Sequence, residues 1–213
     1  VNQGKFITLE GMEGVGKSSH IGLVVEMLQS RGIDAVATRE PGGTRLGERI
    51  RELLLNQDDL PAIHADAELL LIFAARAEHL QQLILPALSA GRWVVCDRFT
   101  DASYAYQGAG RGITHERIAA LEHWTQGALR PHLTLLLDSK VETALARMRA
   151  RGAGNRDRYE RETIEFFVRV RDGYRKLAAR QPHRFRIINA DGSLDYVRRQ
   201  IVTACKTFLS SNS

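Results

Sequence analysis

No stretch of this sequence stays apolar for the roughly 20 residues that a membrane-spanning helix needs, which argues against an integral membrane protein. Cysteine is nearly missing. Cys96 and Cys205 are the only two, too few for a disulfide framework or a metal cluster, and Cys96 sits in an apolar run where it reads as a small buried hydrophobe. Aromatic residues make up 7% of the chain and do not interleave with a basic stripe. A nucleic-acid-binding surface would therefore lack its stacking platforms, and neither nucleic acid nor a membrane is expected as a partner. No Pro/Ser-rich linker and no internal repeat divides the chain. The segment Val1 to Gly4 has no basic start, apolar stretch or small-residue cleavage site, so a cytoplasmic location is expected rather than secretion. Lysine is scarce as well, confined to Lys5, Lys17, Lys140, Lys176 and Lys206. The net charge of +5 is therefore carried by arginine, whose planar fork suits bidentate phosphate recognition.

What is present reads as one α/β domain over residues 1–213. Hydrophobic residues form 44% and charged residues 26% of the chain, near globular averages. Strand patterns at Lys5–Glu10, Ile33–Thr38, Arg92–Cys96, Leu133–Leu137 and Arg184–Ile188 alternate with helical patterns. The helices are expected over Lys17–Arg31, Thr44–Leu55, Ala65–Ala90 with an interruption near Pro86, His115–Gly127, Val141–Arg151, Glu160–Arg180 and Leu194–Leu209. Such alternation predicts a three-layer fold, a five-stranded parallel sheet with helices on both faces. Right-handed crossovers then put the chemistry at the carboxyl ends of the strands.

The run Gly11-Met12-Glu13-Gly14-Val15-Gly16-Lys17-Ser18-Ser19 follows the first strand and opens the first helix. It matches the phosphate-loop pattern G-x-x-x-x-G-K-[ST] at every fixed position. Glycines let the backbone curl so that its N–H groups converge on an anion, and the helix N-terminus adds more. Lys17 can reach the terminal phosphates of ATP and Ser18 can bind Mg²⁺. No Asn-Lys pair specifies guanine. Asp97-Arg98-Phe99 follows the third strand. The Asp97 carboxylate there can hold the metal, directly or through water, and Arg98 can reach an acceptor phosphate. Arg39-Glu40-Pro41-Gly42-Gly43-Thr44 marks a tight loop after the second strand, which a cis bond before Pro41 would point inward.

These runs carry a resemblance. The phosphate loop with its internal Glu13, Thr-Arg-Glu-Pro-Gly-Gly-Thr at 38–44, Phe-Ala-Ala-Arg at 73–76, Asp-Arg-Phe at 97–99 and Ala-Tyr-Gln-Gly at 105–108 together resemble the bacterial thymidylate kinase family, from about residue 5 to 190. The resemblance implies a P-loop kinase fold with a small arginine-rich lid at about 149–160, Mg²⁺-dependent transfer from ATP to dTMP, and a homodimer packed through helices. It also implies that Arg51, Arg76 and Arg98 hold the dTMP phosphate, that Gln107 with Ser103 reads the thymine edge, and that Phe73 stacks on the base. Several relatives carry that Phe one position earlier, where this chain has Ile72. Glu13 would bond the sugar or brace the loop, and Tyr159 would lie near the deoxyribose. Arg39 and Pro41 in the inward loop and Tyr104 beside Ser103 complete the acceptor set.

The phosphate loop has no arginine, and in the family the lid then supplies it. Arg149, Arg151, Arg156 and Arg158 are the candidates; Arg149 and Arg151, two apart and on different sides of a helix, are expected to split roles between the adenine side and the phosphates. Another nucleoside monophosphate or deoxynucleoside as acceptor is the alternative reading, since such kinases also use Asp-Arg and a basic lid.

Overall fold

The computed structural model describes residues 3–55, 63–150, 159 and 162–211. Five strands, β1 (Phe6–Glu10), β2 (Ala35–Arg39), β3 (Trp93–Asp97), β4 (Leu133–Asp138) and β5 (Phe185–Asn189), form one sheet. Their order is β2-β3-β1-β4-β5, and every neighbouring pair is parallel. The continuous apolar runs fall in the middle: all five residues of β1 are buried, whereas edge strands β2 and β5 bury only some positions. That division is what helices on both faces of a parallel sheet require.

The helices are α1 (Ser18–Gln29), α2 (Arg45–Leu55), α3 (Ala65–His79), α4 (Leu85–Ser89), α5 (Thr100–Ser103), α6 (His115–Gln126), α7 (Val141–Ala150), α8 (Ile164–Arg180) and α9 (Leu194–Ser210). One apolar cluster joins Ile7, Leu9 and Leu135 to Leu28 of α1, Phe167 of α8 and Ile201 of α9. A second joins Phe6, Val94 and Cys96 to Leu80, Ile84 and Phe99. No helix among the described residues is long and apolar enough to cross a membrane.

Two stretches differ from the sequence reading. The long helix is not interrupted at Pro86. A π-helical turn, Leu80–Ile84, links α3 to α4, and Leu85 N–H bonds back to Leu80 O. Pro86 then falls in the first turn of α4, where its missing N–H needs no partner. The second is α5, which continues into a π-helical stretch, Tyr104–Gly110. Its Gly, Ser and aromatic content gives little intrinsic helix preference, so packing against α8 stabilises it. A Cβ on Gly110 would lie 2.6 Å from Phe166 Cε2, and one on Gly173 would lie 2.8 Å from Ala109 Cβ.

Strand order brings the functional loops together. β1 neighbours β3, and β3 neighbours β2. The loops at 11–17, 98–99 and 40–44 therefore emerge side by side at one end of the sheet.

Candidate functional site

A cavity of about 460 Å³ opens at that end. Its phosphate-loop wall comprises Glu13, Gly14, Gly16, Lys17, Ser18 and Ser19. Gly14 has φ +76°, and a Cβ there would lie 2.2 Å from Ala144 O, so glycine alone fits. Lys17 is 7% exposed and its Nζ donates to Gly11 O (3.1 Å) and Met12 O (2.8 Å). Burial, and then the charge of Arg98, lowers its pKa to about 8 against the pull of Asp97, Glu13 and Glu10. Ser18 Oγ lies 3.4 Å from Asp97 Oδ2, and Asp97 Oδ1 is buried with no hydrogen-bond partner among the described residues.

Arg98 stands opposite Lys17 and shares an acceptor with it. Its Nη1 donates to Gly11 O (2.8 Å) and Tyr174 Oη (3.1 Å), and its Nη2 donates to Glu13 Oε1 (2.7 Å) and Tyr106 Oη (3.1 Å). The guanidinium also lies 4.7 Å above the Tyr106 ring. Burial opposes its charge, but Tyr106, Glu13, Tyr174 and Asp97 outweigh that and hold the pKa well above the usual arginine value. Its backbone is left-handed, φ +69°, the one non-glycine case among the described residues. Local strain of that kind persists where surrounding contacts over-determine it. Behind Arg98, Glu10 accepts from Phe99 N–H (2.7 Å) and Tyr174 Oη–H (2.8 Å). Burial, reinforced by Asp101, pushes the Glu10 carboxyl up to about 8.

The third wall comes from α3 and the loop after β2. Arg76 is 1% exposed. Its Nε donates to Glu40 Oε2 (2.7 Å) and its Nη2 to Ser103 Oγ (3.1 Å), while Nη1 is buried without a partner among the described residues. His79 Nδ1 lies 3.0 Å from Glu40 Oε1, and its Nε2 lies 2.6 Å from Thr38 Oγ1. Gly43 covers that pair with φ +75°, where a Cβ would come within 2.5 Å of His79 Nε2. The Glu40–Pro41 bond is cis. Arg51 donates to Pro41 O (3.2 Å). Burial, followed by repulsion from Arg39, lowers its pKa. Arg39, Arg51, Arg76 and Arg98 all line the cavity, and such convergence of cations suits an anionic ligand.

The far end holds Gln107, Ser103, Ile72 and Tyr159. Tyr159 packs edge-on against Tyr106, with centroids 5.6 Å apart. Gln107 Nε2 donates to Glu68 Oε1 at 2.6 Å, and Tyr159 Oη donates to the same oxygen at 2.9 Å.

Several candidates lie elsewhere. Phe73 is 1% exposed and packs under the Arg76 guanidinium at 4.4 Å, so it does not line the cavity. Ile72 does, because it shares the helix face of Arg76 four residues on. Tyr104 turns away, donates to Glu122 Oε2 and lines a separate cavity of about 170 Å³. Ser103, Tyr106 and Gln107, three and four positions apart, face the site instead. Gly11, Met12 and Val15 do not line the cavity either; Met12 and Val15 bury their side chains in the core. Arg149 is exposed near the end of α7, while Arg151, Arg156 and Arg158 lie outside the described residues.

Sequence reasoning missed Glu40, Glu68, His79 and Tyr106, along with Glu10 and Tyr174. Glu68, Ile72, Arg76 and His79 recur at four, four and three residues, one helix face, and that spacing was the available signal.

The thymidylate kinase family model matches residues 9–201. The thymidylate kinase of Alkalilimnicola ehrlichii is 59% identical over 211 residues, which cover 99% of this chain and 94% of that protein. That of Methylococcus capsulatus is 55% identical over 209 residues, 98% of each chain. The crystal structure of thymidylate kinase from Ehrlichia chaffeensis matches with a TM-score of 0.77 and 32% identity, covering 96% of this chain and 99% of that one.

Proposed function

The chain belongs to the thymidylate kinase family and phosphorylates dTMP with ATP as donor, and we propose that the cavity between Lys17 and Arg76 seats both reacting phosphates. The observation that carries this reading is the shared wall. Lys17 and Arg98 bond to the same carbonyl of Gly11, and Arg76 holds one buried N–H group without a partner among the described residues. ATP phosphates lie on the backbone of 11–18 with Lys17. The dTMP phosphate lies among Arg51, Arg76 and Arg98, with Arg39 and Pro41 at its edge. The base lies toward Gln107, Ser103, Ile72 and Tyr159. From Glu68 to Arg76 the helix rises about 12 Å, so α3 runs alongside the nucleotide from base to phosphate.

The dTMP phosphate is ionised already, so its oxygen attacks in line without a general base. The chain's task is positioning and charge neutralisation. Lys17 and the lid arginines Arg149, Arg151, Arg156 and Arg158 stabilise charge on the transferring group. Mg²⁺ fits the donors available: a serine hydroxyl beside a carboxylate whose second oxygen is buried and unpartnered among the described residues. No cluster of three acidic or His/Cys ligands exists among the described residues. Mg²⁺ keeps several waters and takes its remaining ligands from phosphates, so one carboxylate suffices. Ser18 and Asp97, directly or through water, would hold it, and it would neutralise charge on the donor phosphates.

Arg76→Lys is expected to raise KM for dTMP about tenfold or more while KM for ATP stays within about twofold. Steady-state titration of each substrate decides it; equal shifts in both constants would reject the seating of dTMP on this side.

The same proposal includes one kinase domain, a cytoplasmic setting and a homodimer. Cys96 and Cys205 are both buried and unpaired, which fits a reducing compartment. Leu46 and Leu53 on α2 and Leu70 on the adjoining α3 are 49%, 40% and 56% exposed, an apolar face that a second copy would cover. Within the run 69–73 only Leu70 is exposed. Sedimentation is expected to give twice the 23.8 kDa chain mass, and Leu70→Asp to shift it to one chain. A parent protein that sediments as a monomer would end the dimer proposal.

A further inference from the structure

The geometry points to Glu68 as the residue that makes this site read thymine or uracil rather than cytosine, by fixing which way the Gln107 amide faces. The inference rests on the seating of the base against Gln107 and goes beyond it. Glu68 is 0% exposed and Gln107 2%. Gln107 Nε2 donates to Glu68 Oε1 at 2.6 Å. The same carboxylate receives Tyr159 Oη–H at 2.9 Å, and Arg111 Nε stands 3.6 Å from its Oε2. Arg111 is itself tied to Glu162 at 2.5 Å and stacked over Phe166 at 4.7 Å, so the acceptor is held in place by groups from three segments.

A carboxylate only accepts hydrogen bonds, whereas a glutamine amide has a donor end and an acceptor end. Glu68 therefore claims the nitrogen end. The Gln107 nitrogen is spent on this side, donating to Glu68 and lying 3.4 Å from Tyr159 Oη, which leaves the carbonyl oxygen as the end turned to the cavity that Gln107 lines. Thymine and uracil present an N3–H donor, which this carbonyl oxygen accepts. Cytosine presents an N3 acceptor beside an N4 amino donor and requires the amide reversed. Reversal would set Gln107 Oε1 against Glu68 Oε1, two acceptors with no proton between them in a buried site. Discrimination against cytosine thus comes from a residue placed behind the reader. The 5-methyl group plays no part in it, so dUMP is not rejected by this device.

Glu68→Gln removes the constraint, because a second amide can either donate or accept. The kcat/KM ratio of dCMP to dTMP is expected to rise about tenfold or more, while the ratio of dUMP to dTMP stays where it was. Glu68→Asp, which keeps the charge facing Arg111 but retracts the acceptor, is expected to move the dCMP ratio the same way. It serves if the first variant melts below assay temperature. An unchanged dCMP-to-dTMP ratio in a folded variant overturns the inference and leaves the seating of dTMP intact. Gln107→Ala is the control on that seating: unaltered kcat/KM for dTMP there would remove the base from Gln107 and overturn both.

Discussion

A Lys17→Ala protein is expected to lose about 10²–10³ of its turnover while staying folded. Lys17 is the positive charge that the phosphate loop delivers to the transferring group, and among the described residues of that wall it is the one cation. Its retention of fold follows from the same burial that lowers its pKa from 10.5 to about 8. A shift of that size corresponds to a cost on the order of 3 kcal/mol for keeping the ammonium charged in the folded chain. Below pH 8 both folded and unfolded chains hold the proton, and the full cost is present. Between pH 8 and 10.5 the unfolded chain holds a proton the folded chain lacks, so raising the pH through that window favours the folded chain. Removing the ammonium is therefore not destabilising on this account at neutral pH, and the melting temperature should hold or rise. ATP brings anionic oxygens to Nζ and raises its pKa. Nucleotide binding near pH 8–9 should thus take up a proton, and that uptake should vanish in Lys17→Ala. Calorimetry in buffers of different ionisation enthalpy measures it. Turnover near the parent value in the variant would remove Lys17 from the reaction.

The fold was legible because period and punctuation agreed: strands with continuous apolar runs, helices with four-residue spacing, and glycines at the turns. The two π-helical stretches were not, because their stabilisation is tertiary. Tyr104–Gly110 has little helical preference and is held by α8, more than fifty residues away, through the small residues Ala109, Gly110 and Gly173. The same stretch explains why Tyr104 and Tyr106, both in the Ser-Tyr-Ala-Tyr-Gln run, part company: one turns to Glu122 and the other to Glu13 and Arg98. Phe73 and Ile72 separate for the same reason, since adjacent helical positions point about 100° apart. The polar residues behind the site divide into two kinds. Glu68 and His79 lie on the helix face of Arg76 and could have been found by asking why charged residues occupy buried positions. Tyr174 could not, because its bond to Glu10 joins residues 164 apart in sequence and nothing local announces it.

Arg98→Ala is expected to cost the most activity of any single change, about 10³-fold or more in kcat/KM for dTMP, but part of that loss is structural and has to be separated. The guanidinium serves four acceptors. Its removal leaves Glu13, Tyr106 and Tyr174 short of a partner in a buried setting, at about 1–3 kcal/mol for each group that finds no substitute. Alanine also retains the left-handed backbone that arginine endures only because its contacts enforce it, so the Arg98→Ala protein should melt well below the parent. Arg98→Lys distinguishes the roles. A lysine keeps the positive charge opposite Glu13 but has no planar fork to span Gly11 O and two hydroxyls at once. Stability should recover substantially in Arg98→Lys while kcat/KM for dTMP stays depressed about 10²-fold, because a phosphate is still presented with a point charge instead of a fork. Arg98 also lowers the pKa of Lys17 and of Glu10. In Arg98→Ala the Glu10 carboxyl therefore moves above 8 and the Lys17 ammonium above its present value, displacing the alkaline limb of the pH–rate profile upward; in Arg98→Lys both stay near their parent positions. A Lys variant that restores activity together with stability would assign Arg98 to the scaffold alone.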